Sequence, residues 1–359
     1  MGGAEKQAAY LAQFLKNTKE FDVIVWSFFD GDTIKKILIN HDIKYLIMPP
    51  KTGVNILLRL WNLFYIILKL RKLKPYVLMP FTDYPNKISG LIWKFTGAKS
   101  CIWNQRDEGK EITGKMIEIL AIKKTPVFIS NSLTGKNFLI NKYGITSGKI
   151  TVINNGISSK INYKDSFLWR SRLGIDKKRF VVTMVANIQP YKDHITLIKA
   201  WGFLVNILMK DLPKPILLLV GRADSSSELI EQEINKFGLT NSVMLTGEIE
   251  DVFGILNVSD LCVFSSKSEG CPNSVLEYMV AKKAIVATNI MGIKEILGED
   301  YPFLVSPNNY KVFARSIFKL YGDKEMIGKL EIRNFNRVQN DFSLEKMNNE
   351  YYKFLRQIQ

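Results

Sequence analysis

The chain has 359 residues, 47% of them hydrophobic, a length that suits two domains and a composition that excludes a disordered chain. The net charge of +16 is uneven, because residues 1–160 hold 24 Lys and Arg against 11 Asp and Glu, whereas residues 161–359 hold 26 against 23. The basic N-terminal half indicates an anionic partner such as a membrane surface, a phosphorylated lipid or a nucleic acid.

Short β-branched runs alternate with helix-length segments along the whole chain. In the first half the pattern predicts strands at residues 22–27, 44–48, 76–79, 100–103, 126–130 and 149–153. In the second half it predicts strands at residues 180–186, 215–220, 242–246, 261–265 and 284–288. Near-continuous apolar strands separated by helices are typical of parallel sheets covered on both faces. We therefore predict an α/β protein with two doubly wound Rossmann-like domains that face each other across a cleft.

A polar stretch at residues 156–165 is interpreted as the hinge between these domains. The N-terminal domain is then expected over residues 1–160 and the C-terminal domain over residues 161–340. A final helix within residues 341–359 is expected to pack back toward the N-terminal domain. In open α/β sheets ligands bind beyond the carboxyl ends of the strands, so the functional residues are sought in the loops there.

One N-terminal segment is a candidate for membrane contact. Residues 54–68 are largely apolar, but Arg59 and Asn62 interrupt them, and they are shorter than the ~20 residues that span a bilayer. Four cations follow directly, at Lys69, Arg71, Lys72 and Lys74. An apolar helix beside cations is typical of interfacial binding, although such cations also stabilise a solvated helix end. The opening residues do not resemble a secretory signal, so we expect a cytoplasmic protein, peripheral at an anionic membrane surface.

The strongest motif follows the predicted strand at residues 261–265 and reads Glu269-Gly-Cys-Pro-Asn-Ser-Val-Leu-Glu277. Asn273 or Ser274 is expected to cap a helix whose first turn carries Glu277. The N–H groups at such a helix start suit a diphosphate. The two carboxylates suit the vicinal diols of a ribose and a sugar, because a carboxylate accepts several hydrogen bonds. A nucleotide sugar matches this pattern, and a surface position for Glu277 is the alternative.

The run from Glu269 to Thr288 closely resembles the signature of glycosyltransferase family 4, in which Glu, seven residues and Glu precede a small-residue helix and a buried strand. By this resemblance Glu269 contacts the transferred sugar and Glu277 contacts the ribose. The intervening residues Gly270, Cys271, Pro272, Asn273 and Ser274 would then line the donor site, where backbone amides near Cys271–Ser274 meet the sugar and the phosphates.

Further segments occur in the order of this family. The loop over residues 185–194 resembles the one that supplies a phosphate-binding Lys, which is Lys192 here, and Gly247 with Glu248 would lie near the base. Gly2 and Gly3 resemble the glycine-rich loop that approaches the donor phosphates. In the family a strand precedes that loop, so we expect either that the natural protein starts roughly 10–20 residues upstream or that this chain is a truncated product.

The chain also departs from the family pattern. The family usually has an Arg five residues before the Lys, where this chain has Asn187. We expect Arg222 or Lys267 to supply the missing positive charge. The family often has a His near the acceptor, and in its place Arg106 and Asp107 are candidates, with surface salt bridges as the alternative.

The resemblance covers essentially the whole chain and implies a retaining hexosyltransferase in surface polysaccharide biosynthesis, such as that of lipopolysaccharide or capsule. Its donor would be a nucleoside diphosphate sugar and its acceptor a lipid-linked or oligosaccharide molecule, with no cofactor and no obligatory metal. The predicted catalytic residues are Glu269, Lys192, Arg106 and Asp107. Another two-Rossmann nucleotide-sugar enzyme, such as an epimerase, and a weakly active scaffold remain alternatives. A nucleic-acid partner is disfavoured because aromatic platforms and recognition motifs are missing.

Overall fold

Parallel strands alternate with helices in both units of the chain, for which a computed structural model describes residues 3–28, 32–48, 55–109, 116–160, 166–223 and 227–358. Met1–Gly156 and Leu344–Gln359 form the N-terminal unit, and Ile157–Ser343 form the C-terminal unit. The predicted α/β class with parallel sheets is confirmed. No helix in the described parts of the chain has the length and apolar character needed to cross a membrane.

The described residues of the N-terminal unit form six parallel strands, which are β1 (Ile24–Ser27), β2 (Lys44–Ile47), β3 (Val77–Leu78), β4 (Ser100–Gln105), β5 (Val127–Ser130) and β6 (Ile150–Val152). β1 pairs with β2, while β3 to β6 form a second sheet in chain order. All six residues of β4 are buried. The strands alternate with helices α1 (Gly3–Thr18), α2 (Asp32–Asn40), α3 (Ile56–Leu73), α4 (Asp83–Thr96), α5 (Met116–Lys124) and α6 (Leu133–Tyr143).

The part of the C-terminal unit that the structure describes forms one parallel sheet of six strands, which are β7 (Val181–Val185), β8 (Ile216–Val220), β9 (Val243–Gly247), β10 (Leu261–Phe264), β11 (Ile285–Thr288) and β12 (Leu304–Val305). Their order across the sheet is β12-β11-β10-β7-β8-β9. The helices of this unit are α7 (Ser166–Arg172), α8 (His194–Phe203), α9 (Ser227–Lys236), α10 (Val252–Val258), α11 (Asn273–Val280), α12 (Met291–Leu297), α13 (Tyr310–Tyr321) and α14 (Lys324–Asp341).

Apolar strands explain why this sheet has helices on both faces. All residues of β8, β10 and β11 are buried. Because successive side chains point to opposite faces of a sheet, a strand buried at every position needs cover on both sides. Trp201 of α8 and Tyr278 of α11 are fully buried in the same core. Every predicted strand is present, and only the two-residue edge strand β12 was not predicted.

The last helix, α15 (Leu344–Ile358), belongs to the N-terminal unit. Its buried residues Met347, Tyr351 and Leu355 recur at every fourth position and therefore lie on one face. They pack with Leu11 and Leu15 of α1. The hydroxyl of Tyr351 also donates to Asn104 Oδ1 at 3.1 Å, on the buried strand β4. Helix α15 therefore contributes to the core of the N-terminal unit.

A pair of glycine substitutions tests the packing of α4 on α5. A Cβ added at Gly90 would lie 2.8 Å from the backbone oxygen of Ala121 and 2.8 Å from Thr125 Oγ1, whereas one at Gly328 meets nothing within 4 Å. We expect Gly90→Ala to lower the free energy of unfolding by about 1–3 kcal/mol through overpacking. Gly328→Ala, inside α14, should raise it by about 0.5–1 kcal/mol. Urea unfolding monitored by circular dichroism measures both, and unchanged stability of Gly90→Ala would contradict this packing.

Candidate active site

The candidate active site lies at the carboxyl ends of β7 and β10, which are neighbours in the C-terminal sheet. β8 lies on the far side of β7 and β11 on the far side of β10. The chain therefore leaves these two strands in opposite directions, and a crevice opens between the loops that follow them. The loop after β7 carries Lys192, and the loop after β10 carries Glu269.

Hydrogen bonds fasten the two loops to each other. The backbone N–H of Lys267 donates to the Tyr191 carbonyl at 2.8 Å, and Ser266 Oγ donates to the same carbonyl at 3.0 Å. Ser265 Oγ donates to the Lys192 carbonyl at 2.9 Å. Lys267 Nζ also lies 3.2 Å from Asp193 Oδ1. Because both hydroxyls and an amide point at one short stretch of backbone, Lys192 has a fixed position relative to Glu269.

Lys192 and Glu269 form an ion pair in this crevice. Lys192 Nζ lies 2.6 Å from Glu269 Oε1, and the two side chains are only 14% and 10% exposed. Ser266 Oγ also lies within hydrogen-bond distance of the same carboxylate oxygen, at 2.7 Å. Lys192 Nζ also lies over the rings of Tyr191 and Phe264, at 5.2 and 5.1 Å from their centroids. The two residues that the motif predicted to serve the sugar and the phosphate are therefore in direct contact.

Helix α11 brings Glu277 to the same loop, but not as the sequence predicted. The helix begins at Asn273 with Pro272 in the N-cap position, and no side chain caps it. Proline fixes φ near the helical value and has no N–H, so a helix starts readily behind it. Glu277 is therefore the fifth helical residue and lies in the second turn, not the first. Its side chain is buried, so it is not a surface residue.

Asn187, which stands where the family has Arg, ties two loops together. Its Oδ1 accepts from the backbone N–H of Arg222 at 3.1 Å, and the Ile188 N–H donates to the Arg222 carbonyl at 3.0 Å. Gly221 precedes Arg222 with φ +156, and a Cβ there would collide with the Ala186 carbonyl. The loops after β7 and β8 therefore touch backbone to backbone.

The other predicted donor residues lie at or near this edge of the sheet, with two exceptions. Gly247 ends β9 with φ +73, and the exposed Glu248 follows it. Gly270 and Cys271 are buried between Glu269 and the start of α11. Gly3 is instead the first residue of α1 in the other unit, and Gly2 lies outside the described residues.

Arg106 and Asp107 follow β4 in the N-terminal unit, where local contacts hold both. The guanidinium of Arg106 donates to Asn155 Oδ1 and to the hydroxyl of Tyr351. The Cζ atom of this guanidinium lies 5.4 Å from the centre of the Phe81 ring. Asp107 Oδ1 accepts from Gln105 Nε2 at 2.9 Å and from the Gly109 N–H at 2.7 Å. These contacts fix the loop at the carboxyl end of β4.

Sequence reasoning missed Ser266 and Gly292 as structural supports of the site. Ser266 hydrogen-bonds both loops and Glu269, and its carbonyl accepts from Thr288 Oγ1 at 2.5 Å. Gly292 of α12 packs so tightly against the carbonyls of Glu269 and Gly270 that a Cβ would collide with them. Both residues stand within or beside the quoted motif, but only the tertiary contacts reveal their roles. Among the described residues no group of three or more His, Cys, Asp or Glu is arranged to hold a metal ion.

Two family models match the chain, and each covers most of one unit. Residues 165–335 match the model described as Glycosyl transferases group 1. Residues 1–160 match the model described as Glycosyltransferase Family 4. Every residue of the loop cluster described above, from Asn187 to Gly292, lies within the first of these matches.

Curated relatives share about a quarter of the aligned residues. The chain is 26% identical over 238 residues to UDP-Gal:alpha-D-GlcNAc-diphosphoundecaprenol alpha-1,3-galactosyltransferase of Escherichia coli, which covers 65% of this chain and 60% of the relative. It is 23% identical over 340 residues to an N-acetylgalactosaminyltransferase of Campylobacter jejuni whose name specifies a diphospho-undecaprenol acceptor, with 90% and 88% covered. The E. coli relative is thus matched over less than two thirds of its own length, as is an uncharacterized glycosyltransferase of Methanocaldococcus jannaschii, which is 26% identical and matched over 62% of its length.

Solved structures resemble the chain over nearly its full length. Anabaena HepE in complex with UDP and glucose has a TM-score of 0.85 at 20% identity, covering 99% of this chain and 96% of HepE. Sucrose-phosphate synthase from Thermosynechococcus elongatus has a TM-score of 0.78 at 17% identity, with 100% and 94% covered. At such identities the likeness establishes the fold, and the predicted pair of Rossmann-like domains is confirmed.

His194, the first residue of α8, gives this site a pH-dependent stability. The ring is only 2% exposed, and burial, with the nearby charge of Lys192 second, lowers its pKa from 6.5 to about 4. The unfolded chain therefore takes up a proton on this ring below pH 6.5, while the native ring stays neutral down to about pH 4. Between these values the free energy of unfolding falls as the pH falls.

We expect this ring to remove about 2 kcal/mol of stability between pH 7.5 and pH 5. His194→Gln should abolish that part of the pH dependence, because glutamine does not titrate. His41→Gln is the matched control, since His41 is exposed and is the other histidine of the chain. Urea unfolding of the three proteins at both pH values gives the comparison. Equal losses in the parent and in His194→Gln would show that the ring is not buried in its neutral form.

Proposed function

The chain belongs to glycosyltransferase family 4, and on that premise we propose that it transfers a hexose-type sugar from a nucleoside diphosphate sugar with retention of anomeric configuration. The observation that carries this proposal is the contact between Lys192 and Glu269 at the sheet edge, with Glu277 buried in the helix that follows. One cation, two carboxylates and a helix start are the groups that a sugar diphosphate requires.

In the proposed donor complex the diphosphate lies at the start of α11 and against Lys192. The first amides of a helix lack intrahelical acceptors and carry a partial positive charge, so they favour phosphate oxygens. Glu277 accepts from the ribose hydroxyls and Glu269 from those of the sugar. Because Glu269 Oε1 contacts Lys192 in this structure, the incoming diphosphate replaces the carboxylate as the partner of Lys192.

Bond cleavage leaves negative charge on the departing diphosphate. Lys192 and the α11 amides stabilise that charge without reorganising, since the loop contacts already fix them. Arg222 and Lys267 are the proposed sources of the second positive charge that Asn187 does not supply. Glu269 orients the sugar and needs no metal for this role. Retention of the anomeric configuration is proposed because the resemblance to the family implies it.

The acceptor is proposed to be a sugar linked through diphosphate to a polyprenol, or an oligosaccharide, in surface polysaccharide biosynthesis. Two of the relatives carry a diphosphoundecaprenol acceptor in their names. Residues 1–160 contain 24 Lys and Arg but only 11 Asp and Glu, and this positive charge suits such an anionic lipid. Arg106 and Asp107 are proposed to serve the acceptor side, at the carboxyl end of β4. The protein would act on the cytoplasmic face of an anionic membrane.

Two isosteric variants separate the roles of the carboxylates. Glu277→Gln should weaken binding of the free nucleoside diphosphate, because its ribose loses a charged hydrogen-bond acceptor. Glu269→Gln should leave that binding undiminished, since Lys192 loses its competing partner, yet lower kcat/KM for sugar transfer about 10- to 100-fold. Calorimetry measures the first effect. Transfer to a synthetic sugar-diphospho-polyprenol measures the second, with donors chosen by a thermal-shift panel of UDP-, GDP- and ADP-sugars.

Glu325→Gln is the matched control, because that side chain is 79% exposed on α14. It should match the parent in both assays. Full transfer activity in Glu269→Gln would refute the proposed donor site. Conversion of the donor sugar without any acceptor would instead indicate an epimerase, and binding without turnover in the parent would indicate a scaffold.

A further inference from the structure

Helix α3 is apolar on nearly all sides, but the N-terminal unit covers only one of them. Asn62, Ile66 and Leu70 are buried at every fourth position. Ile66 and Leu70 pack in one cluster with Leu78 of β3 and Ile92 of α4. This stripe accounts for the attachment of the helix to its unit.

The opposite side of α3 exposes a second apolar stripe. The side chains of this stripe are 40–68% exposed, and they belong to Leu57, Leu60, Trp61, Phe64, Tyr65 and Leu68. The rings of Trp61 and Tyr65 stack on each other, with their centroids 6.1 Å apart. Positions 57, 61, 64 and 68 recur at helical spacing and span about 17 Å. An amphipathic helix normally presents polar side chains away from its core. An exposed apolar surface of this size marks an interaction site.

The charge around this stripe is of one sign. Between Asp42 and Asp83 the sequence has no acidic residue and seven basic ones. Arg71 and Lys72 are exposed in the last turn of α3, and Lys74 caps it with φ 49. An anionic surface is therefore the complementary partner. A second copy would bring the same cations to the contact and would be repelled.

The start of α3 lies toward the carboxyl edge of the sheet, where the acceptor is proposed to bind. α3 leads into β3, α4 joins β3 to β4, and α5 joins β4 to β5, all parallel strands. The starts of these helices therefore lie toward the carboxyl edge of the sheet, where Arg106 follows β4. Exposed apolar residues occur in the first turns of the neighbouring helices as well, at Tyr84, Met116 and Ile117.

We propose that the exposed stripe of α3 is a docking surface for an anionic lipid bilayer. The leucines and aromatic rings enter the boundary between headgroups and acyl chains, where Trp and Tyr are favoured. Arg71 and Lys72 contact the lipid phosphates. Only the purpose of this docking rests on the proposed function, since docking would bring the carboxyl end of β4 to a lipid-linked sugar. The docking itself needs neither donor nor acceptor.

Cosedimentation with vesicles tests this surface without any enzymatic readout. The parent should bind vesicles of phosphatidylcholine with phosphatidylglycerol, and less at high salt. Phe64→Glu/Leu68→Glu should lower that partition on the order of 100-fold, because both side chains lose their apolar burial. Arg71→Gln/Lys72→Gln should lower it about 30-fold on anionic vesicles and leave the weak binding to pure phosphatidylcholine unchanged.

The matched control is Ile207→Glu/Ile332→Glu, which adds the same two charges at exposed apolar positions of the C-terminal unit, 63% and 65% exposed. It should bind like the parent, and circular dichroism should show all variants folded. Unchanged binding of Phe64→Glu/Leu68→Glu, or no binding by the parent, would overturn the proposal. The proposal would also be overturned if the parent were a dimer and Phe64→Glu/Leu68→Glu a monomer, because a second copy would then cover the stripe. Donor affinity should be the same in all variants, so failure here leaves the proposed function standing.

Discussion

The ion pair between Lys192 and Glu269 is the interaction on which the candidate site depends. It joins the loops after β7 and β10, with an N–O distance of 2.6 Å in a largely buried setting. Removing two charges from water is costly, and apolar side chains of similar size often give a protein equal stability. We therefore infer that the charges are retained for chemistry. The pair keeps the proposed phosphate-binding cation and the proposed sugar-binding carboxylate in place, and we propose that the donor separates them.

The sheet order explains why these two loops can meet. β7 and β10 are adjacent although β8 and β9 lie between them in the chain, so the connections diverge on either side. The loops would otherwise be free to separate, but Ser265 and Ser266 donate to the backbone around Lys192. Gly292 then closes the far side against the carbonyls of Glu269 and Gly270. Topology creates the crevice, and small residues bring its walls close together.

Much of the fold was predictable because strands such as β8 and β10 are apolar at every position. Such runs indicate that a strand is buried on both faces of a sheet, and their alternation with helices indicates that neighbouring strands pair in parallel. The start of α11 was misplaced because Asn273 and Ser274 resemble caps, whereas the fixed φ of Pro272 begins the helix one residue earlier.

The candidate site was only partly readable for the same physical reasons. The spacing of Glu269 and Glu277 is a local feature, and the motif alone predicted both residues. The role of Ser266 and the bond from Arg222 to Asn187 arise from long-range contacts, which leave no local pattern in the sequence. His194 is similar, since only its buried position beside Lys192 lowers its pKa.

A crystal structure of the protein with its nucleoside diphosphate would show whether Lys192 exchanges Glu269 for a phosphate. We predict that Lys192 Nζ turns from Glu269 to the diphosphate, and that the phosphates lie at the first turn of α11. An intact bond between Lys192 and Glu269, with the phosphates bound elsewhere, would contradict it.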